Sequence, residues 1–179
     1  MVRERKGKVR VVYKNFMVHP DVVMDAHLAG CAANLQGKFE QFKNAYWKDG
    51  YGAYTQSRDA SKIGKDNLIK IAASVGLDTA KLTKDMEGDE CKAALRKDMS
   101  DLMKFHVNGT PSFFINGKFT MFSGPGPFSA EIDKALAAVE KSGVPADQYY
   151  QKVVLEKGSK EFVSMADAKK QDAEKQDGK

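Results

Sequence analysis

The feature that most constrains the fold is a change of period at Asn108-Gly109-Thr110-Pro111. Before it, apolar residues recur at helical spacing: Val22, Val23, Ala26, Ala29 and Ala33, then Phe39, Phe42, Ala45 and Tyr46. That spacing predicts two helices broken near Gly37. A further helix is predicted over Asp66 to Val75, stopped by Gly76. Asp78 is placed to cap another over Thr79 to Met86, and Asp89 or Glu90 opens a longer one to about Val107. After the break, Ser112 to Ile115 and Phe119 to Phe122 are short aromatic and β-branched runs separated by Asn116-Gly117, a strong hairpin signal. A helical block feeding a hairpin excludes an all-α or an all-β chain.

The remaining elements complete this α/β order. Lys8 to Phe16, KVRVVYKNF, interleaves Val, Tyr and Phe with cations and ends at His19-Pro20, the pattern of a strand entering a turn. Lys48 to Lys65 is polar, carries Gly50, Gly52 and Gly64, and is expected to be a loop with at most a short helical turn. Gly124-Pro125-Gly126-Pro127 closes the hairpin, and Ser129 with Glu131 starts a helix whose stripe is Ile132, Leu136 and Val139, ending near Gly143. Gln148 to Glu156, QYYQKVVLE, suits either a short helix or a strand. The last dozen or so residues, with almost nothing to bury, are expected to be disordered.

Composition narrows the function classes. The 179 residues fit one domain with a tail, and 42% hydrophobic residues suffice for a core. Twenty-nine basic against 24 acidic residues give +5, but the cations are scattered among acids, which reads as solvated surface rather than a nucleic-acid face. No stretch approaches the roughly 18 apolar residues of a membrane helix, and the basic start, Met1 to Arg10, is not followed by the apolar run of an export signal. Cys31 and Cys91 are far apart with no second Cys or His at ligand spacing, so no metal site is expected.

The succession VRVVYKNFMVHP, AHLAGCAANLQGKFEQF, IAASVGLD, VNGTPSFFINGKF and SAEIDKAL resembles the DsbA-like branch of the thioredoxin fold, over about Lys8 to Val139. The resemblance implies a thioredoxin-like α/β fold, incomplete at its N-terminus, over residues 1–145. It implies a helical insertion at about 20–107 and an extension over 146–179. It also implies protein thiols as substrates, no metal or organic cofactor, and a cell-envelope or periplasmic location. Gly109, Thr110 and Pro111 then correspond to the loop whose proline is cis in that family and which pairs with extended polypeptide. An X-Pro bond loses only about 0.5–1 kcal/mol on going cis, and strand addition is a common way to hold unfolded chains.

The family's chemistry is attack by a thiolate of a Cys-x-x-Cys pair at a helix N-terminus, and no such pair stands in this sequence. No catalytic residue is therefore assigned. Met1 to Gly7 matches the last turn of the helix that follows the pair, so the expectation is a chain lacking the family's first strand, the pair and the start of the first helix. Two ladder edges would then lack a neighbour. Either the chain is a truncated piece of a longer protein, or QYYQKVVLE or a second copy in a strand-swapped homodimer fills the gap.

Cys31, between Gly30 and Ala32 on a helix face expected to be buried, and Cys91, after Asp89 and Glu90 at a helix start, read as structural or inert; whether they pair is left open. His19 and His27 read as structural, and His106 as a helix C-cap beside the presumed substrate loop. Tyr46, Trp47, Tyr51 and Tyr54 read as core and loop anchors. Two further functions stay open: a non-catalytic peptide-binding module, and a relative of the isomerase or glutathione-transferase type.

Overall fold

The computed structural model describes residues 3–5, 7–120, 124–158 and 162. Two compact units emerge, one of Lys14–Leu102 and one of Met1–Tyr13 with Met103–Lys179.

The Lys14–Leu102 unit is helical. It contains α1 (Pro20–Leu35), α2 (Phe39–Ala45), α3 (Gly52–Ser57), α4 (Lys65–Ser74), α5 (Thr79–Glu87) and most of α6 (Asp89–Lys104). The break near Gly37 stands where the spacing put it: Gly37 has φ +69° between α1 and α2. Asp78 caps α5 as expected, its carboxylate accepting from the Lys81 amide at 2.9 Å. The core is one continuous cluster. Leu28, Ala29, Ala32 and Ala33 of α1 meet Phe42, Leu68, Ile71, Leu82, Met86, Cys91 and Leu95, and Leu68 and Leu82 have no exposed surface. The alanines let neighbouring helices approach α1, while the large residues fill the space between them.

Two expectations for this unit need correction. Lys48 to Lys65 is almost wholly helical: a π-type turn (Tyr46–Tyr51) runs on from α2, followed by α3 and a 3-10 turn (Ala60–Ile63). The Gly52 amide reaches back five residues to the Trp47 carbonyl, which a Cβ at Gly52 would meet at 2.6 Å. Glycine here therefore allows the wide turn instead of breaking the helix. The second correction concerns α6, which ends at Lys104, short of Val107, because His106 adopts φ +54° and turns the chain.

The other unit contains the hairpin, β1 (Phe113–Ile115) and β2 (Lys118–Thr120), in the register Phe113↔Thr120, Phe114↔Phe119 and Ile115↔Lys118. Asn116 and Gly117 have φ +47° and +80°, the two positive angles of the tight hairpin turn that Asn-Gly favours. Phe119 to Phe122 was expected as strand; residues 121 and 122 fall outside the described residues. α7 (Pro125–Lys141) starts at Pro125 rather than Ser129, since a proline tolerates the first turn, where its missing N–H has no intrahelical partner. Gln148 to Leu155 is helical, as α8 (Ala146–Tyr149) and a π-type turn (Tyr150–Leu155), and Glu156 follows in a turn, so the stretch supplies no strand.

Lys8 to Phe16 is likewise not a strand. It joins no ladder: among the described residues the hairpin is the whole sheet, and without a neighbouring strand alternation alone makes no strand. The segment is anchored by side chains instead. Arg5, just before it, donates from Nε and Nη2 to the Asp133 carboxylate at 2.7–2.9 Å and from Nη2 to Ser129 Oγ at 2.7 Å. Asn15 donates through its amide and its side chain to Asp98 at 3.0 and 2.9 Å. The last dozen or so residues, expected to be disordered, lie outside the described residues. Among the described residues no helix is long and apolar enough to cross a membrane.

Candidate functional site

The loop between α6 and β1 is built by two local devices. His106 ends α6, its amide bonding to the Met103 carbonyl at 3.0 Å, and Val107 behind it is buried. Ser112 Oγ then donates to the Gly109 carbonyl at 2.7 Å, closing Gly109-Thr110-Pro111 into a turn. The Thr110–Pro111 peptide is cis, and both residues face solvent. A Cβ on Gly109 would meet nothing within 4 Å, so the loop borders open space.

β1 continues from this turn with one face covered and one presented. Phe113 packs on Phe128 of α7, ring centroids 4.9 Å apart. Phe114 and Phe119, opposite one another, meet edge to face at 5.3 Å on the other face and remain 37% and 49% exposed. Phe105 leans on Phe114 at 6.1 Å. The register makes Phe114↔Phe119 the pair that exchanges no ladder bonds, because the two-residue turn is closed by Ile115↔Lys118. The Phe114 amide and carbonyl therefore point away from β2, along the outer edge that continues from Thr110 and Pro111. Such an edge accepts a further extended chain.

The two cysteines join each other. Cys31 Sγ and Cys91 Sγ are 2.05 Å apart, with Cα atoms 5.7 Å apart, across 60 positions of chain. The bridge ties α1 to the first turn of α6, and Cys91 has no exposed surface. The pairing that the sequence left open is thus made, and it depends on how α1 and α6 pack. Among the described residues no group of three or more His, Cys, Asp and Glu could hold a metal ion.

The histidines divide as their positions suggest. His27 is half-buried, with Nδ1 2.9 Å from Asn15 Oδ1, and burial lowers its pKa from 6.5. Asn15 Nδ2 donates to Asp98, leaving Oδ1 as the acceptor, so His27 carries its proton on Nδ1. Burial pushes the Asp98 carboxyl up, but bonds from Lys14 Nζ at 2.7 Å and from Asn15 outweigh it and hold the pKa below 3.8. His106 presents its ring to Phe162, with centroids 4.7 Å apart. Trp47 and Tyr51, expected as anchors, are 57% and 38% exposed and meet edge to face at 5.0 Å. Tyr46 does line the core. Arg5 was not singled out by the sequence, since its partner Asp133 stands 128 positions away.

Residues 4–130 match the model of the DSBA-like thioredoxin domain. The chain belongs to this family. Its DsbA-like relatives include two proteins named "Probable disulfide bond formation protein D", from Bacillus anthracis and Bacillus cereus. Each is 28% identical over 140 residues, covering 76% of this chain and 58% and 59% of those proteins. The chain thus spans somewhat over half the length of the curated relatives it matches. No solved structure matches. The family and the mostly helical architecture with a small hairpin agree with the thioredoxin-like fold and helical insertion expected from the sequence.

Proposed function

We propose that this chain is a DsbA-like thiol-disulfide oxidoreductase domain that acts on protein thiols, and that Gly109, Thr110 and Pro111 hold its extended polypeptide substrate. The observation that carries this reading is the loop itself: a solvent-facing Thr110-Pro111 turn leading directly into an edge whose Phe114 main chain points away from β2. An extended polypeptide laid along that edge gains main-chain hydrogen bonds, while Phe114 and Phe119 offer an apolar face to its side chains. Neither metal nor organic cofactor has a part in this. The proposed organisation is a thioredoxin-like domain over residues 1–145, with an insertion at about 20–107 and an extension over 146–179.

A cell-envelope location fits the Cys31–Cys91 bridge, since disulfides persist in oxidising compartments. The pairing also favours a second reading, a polypeptide-binding module without redox turnover, because both cysteines of the sequence are committed to one cross-link. Exchange of strands between two copies through the unladdered Lys8 to Phe16 is the oligomer we propose. A monomer at every concentration in sedimentation equilibrium would remove it.

The test is a titration with an unfolded polypeptide, S-carbamidomethylated insulin B chain, followed by amide NMR. Thr110, Phe113 and Phe114 are expected to shift, and Thr110→Arg at this exposed position is expected to weaken binding about tenfold. Shifts confined to α1–α5 would overturn the assignment. Reduction of native insulin by the chain would separate the oxidoreductase from the binding module.

A further inference from the structure

Phe162 lies against the C-terminal end of α6. Its amide donates to the Lys104 carbonyl at 3.0 Å, and its ring stacks on the His106 imidazole with planes inclined by 20°. Both contacts follow from how α6 ends. A helix leaves its last carbonyls without intrahelical donors, and the left-handed conformation of His106 turns the chain away two residues past the helix end. The Phe162 amide finds an acceptor there and the exposed His106 ring stands beside it. Phe162 is the one aromatic residue of the sequence among positions 151–179.

The same position borders the loop. Gly109 is three residues beyond His106, a span of at most about 11 Å, and Thr110 and Pro111 follow it on the surface. Phe114 and Phe119, in the hairpin that follows the loop, are also exposed. Exposed aromatic rings therefore stand just before the loop and just after it in the chain, and the one before it is already partly covered by Phe162.

We propose that His106 and the Lys104 carbonyl form a docking position for an aromatic residue of an extended polypeptide, continuous with Gly109-Thr110-Pro111, and that Phe162 occupies it in competition with the incoming chain. The inference rests on the reading that the loop holds polypeptide. One main-chain hydrogen bond and one ring stack make a weak contact, and Phe162 is still 43% exposed. Displacement needs no rearrangement of a core.

Two measurements on the full chain and its Phe162→Ala variant test this. First, the His106 ring protons are expected to shift by tenths of a part per million when the stacked ring is removed; unmoved signals overturn the docking. Second, S-carbamidomethylated insulin B chain is expected to bind Phe162→Ala about three- to tenfold more tightly, the range that loss of one competing aromatic contact allows. Equal affinity for both chains defeats the competition alone. Binding to neither defeats the polypeptide-holding reading, and the competition falls with it.

Discussion

The two units differ most in what they bury. Among the described residues, all but two of the buried apolar residues belong to Lys14–Leu102, and the other unit contributes Val107 and Ile132. Exposed apolar side chains occur in both units, among them Val18, Val22 and Trp47 in the helical one and Val11, Val12, Tyr13, Phe114, Phe119, Tyr150 and Leu155 in the other, but the second has little buried surface to set against them. Its order comes from discrete polar and aromatic contacts, such as Arg5 on Asp133 and Phe113 on Phe128. The helical unit owes its stability to a closed core and a cross-link, and the hairpin unit keeps its apolar surface available. Surface left available is what a binding face needs, and it contributes little to stability until it is covered.

The sharpest way to break this comparison is to open the bridge. Closing a loop of 60 residues removes enough entropy from the unfolded chain to contribute about 4 kcal/mol. Cys91→Ser is therefore expected to lower the stability of the helical unit by about that amount. Hydrogen exchange should accelerate throughout α1 and α6 and stay unchanged in β1 and β2. Equal acceleration in both would mean that the bridge supports the whole chain.

Packing offers a slightly smaller test. Leu82→Ala, at a fully buried position, is expected to cost about 3 kcal/mol in urea denaturation. Trimming Phe119, 49% exposed, to Ala should cost well under half of that. A reversal would place the dominant core in the hairpin unit.

Gly117→Ala probes the hairpin alone. It forces a side chain into φ +80° and brings its Cβ to 3.1 Å from Val154, at an expected cost of about 1–2 kcal/mol. NMR should show the loss of the Phe114–Phe119 contact with the helical core intact.

The smallest effect is that of pH. Burial keeps His27 neutral, so its folded-state pKa lies below 6.5 and the unfolded chain takes up the proton first. The contribution is complete above 6.5 and declines as pH falls through that value. Asp98 acts lower: its contribution is full above 3.8 and is lost as pH falls through its depressed pKa. Urea midpoints of the helical unit should thus decline in two steps, the first absent in His27→Asn. A midpoint unchanged between pH 7.5 and 5.5 would rule out the buried neutral imidazole.

Much of this molecule was legible as local chemistry. Asp78 as a cap, the helix break at Gly37, the Asn116-Gly117 turn and the Thr110-Pro111 loop each depend on residues within a few positions of one another, so a linear pattern suffices. The failures have two different causes. Lys8 to Phe16 has the alternation of a strand, yet a strand exists only through its neighbour, and this one has none among the described residues. Lys48 to Lys65 has the glycines of a loop, yet Gly52 serves a wide helical turn because the Trp47 carbonyl needs the space.

By itself the sequence carried the resemblance to the family, and its spacing and turn residues determined the order of helical block, loop, hairpin and helix and the position of the candidate loop. Only the tertiary structure decided that Cys31 and Cys91 pair, that Asn15 links His27 to Asp98, that Arg5 closes on Asp133 and Ser129, and that Phe162 covers the end of α6. Each of those contacts joins residues the chain separates by twelve or more positions. Which of many acids, cysteines or rings is met depends on how the elements pack.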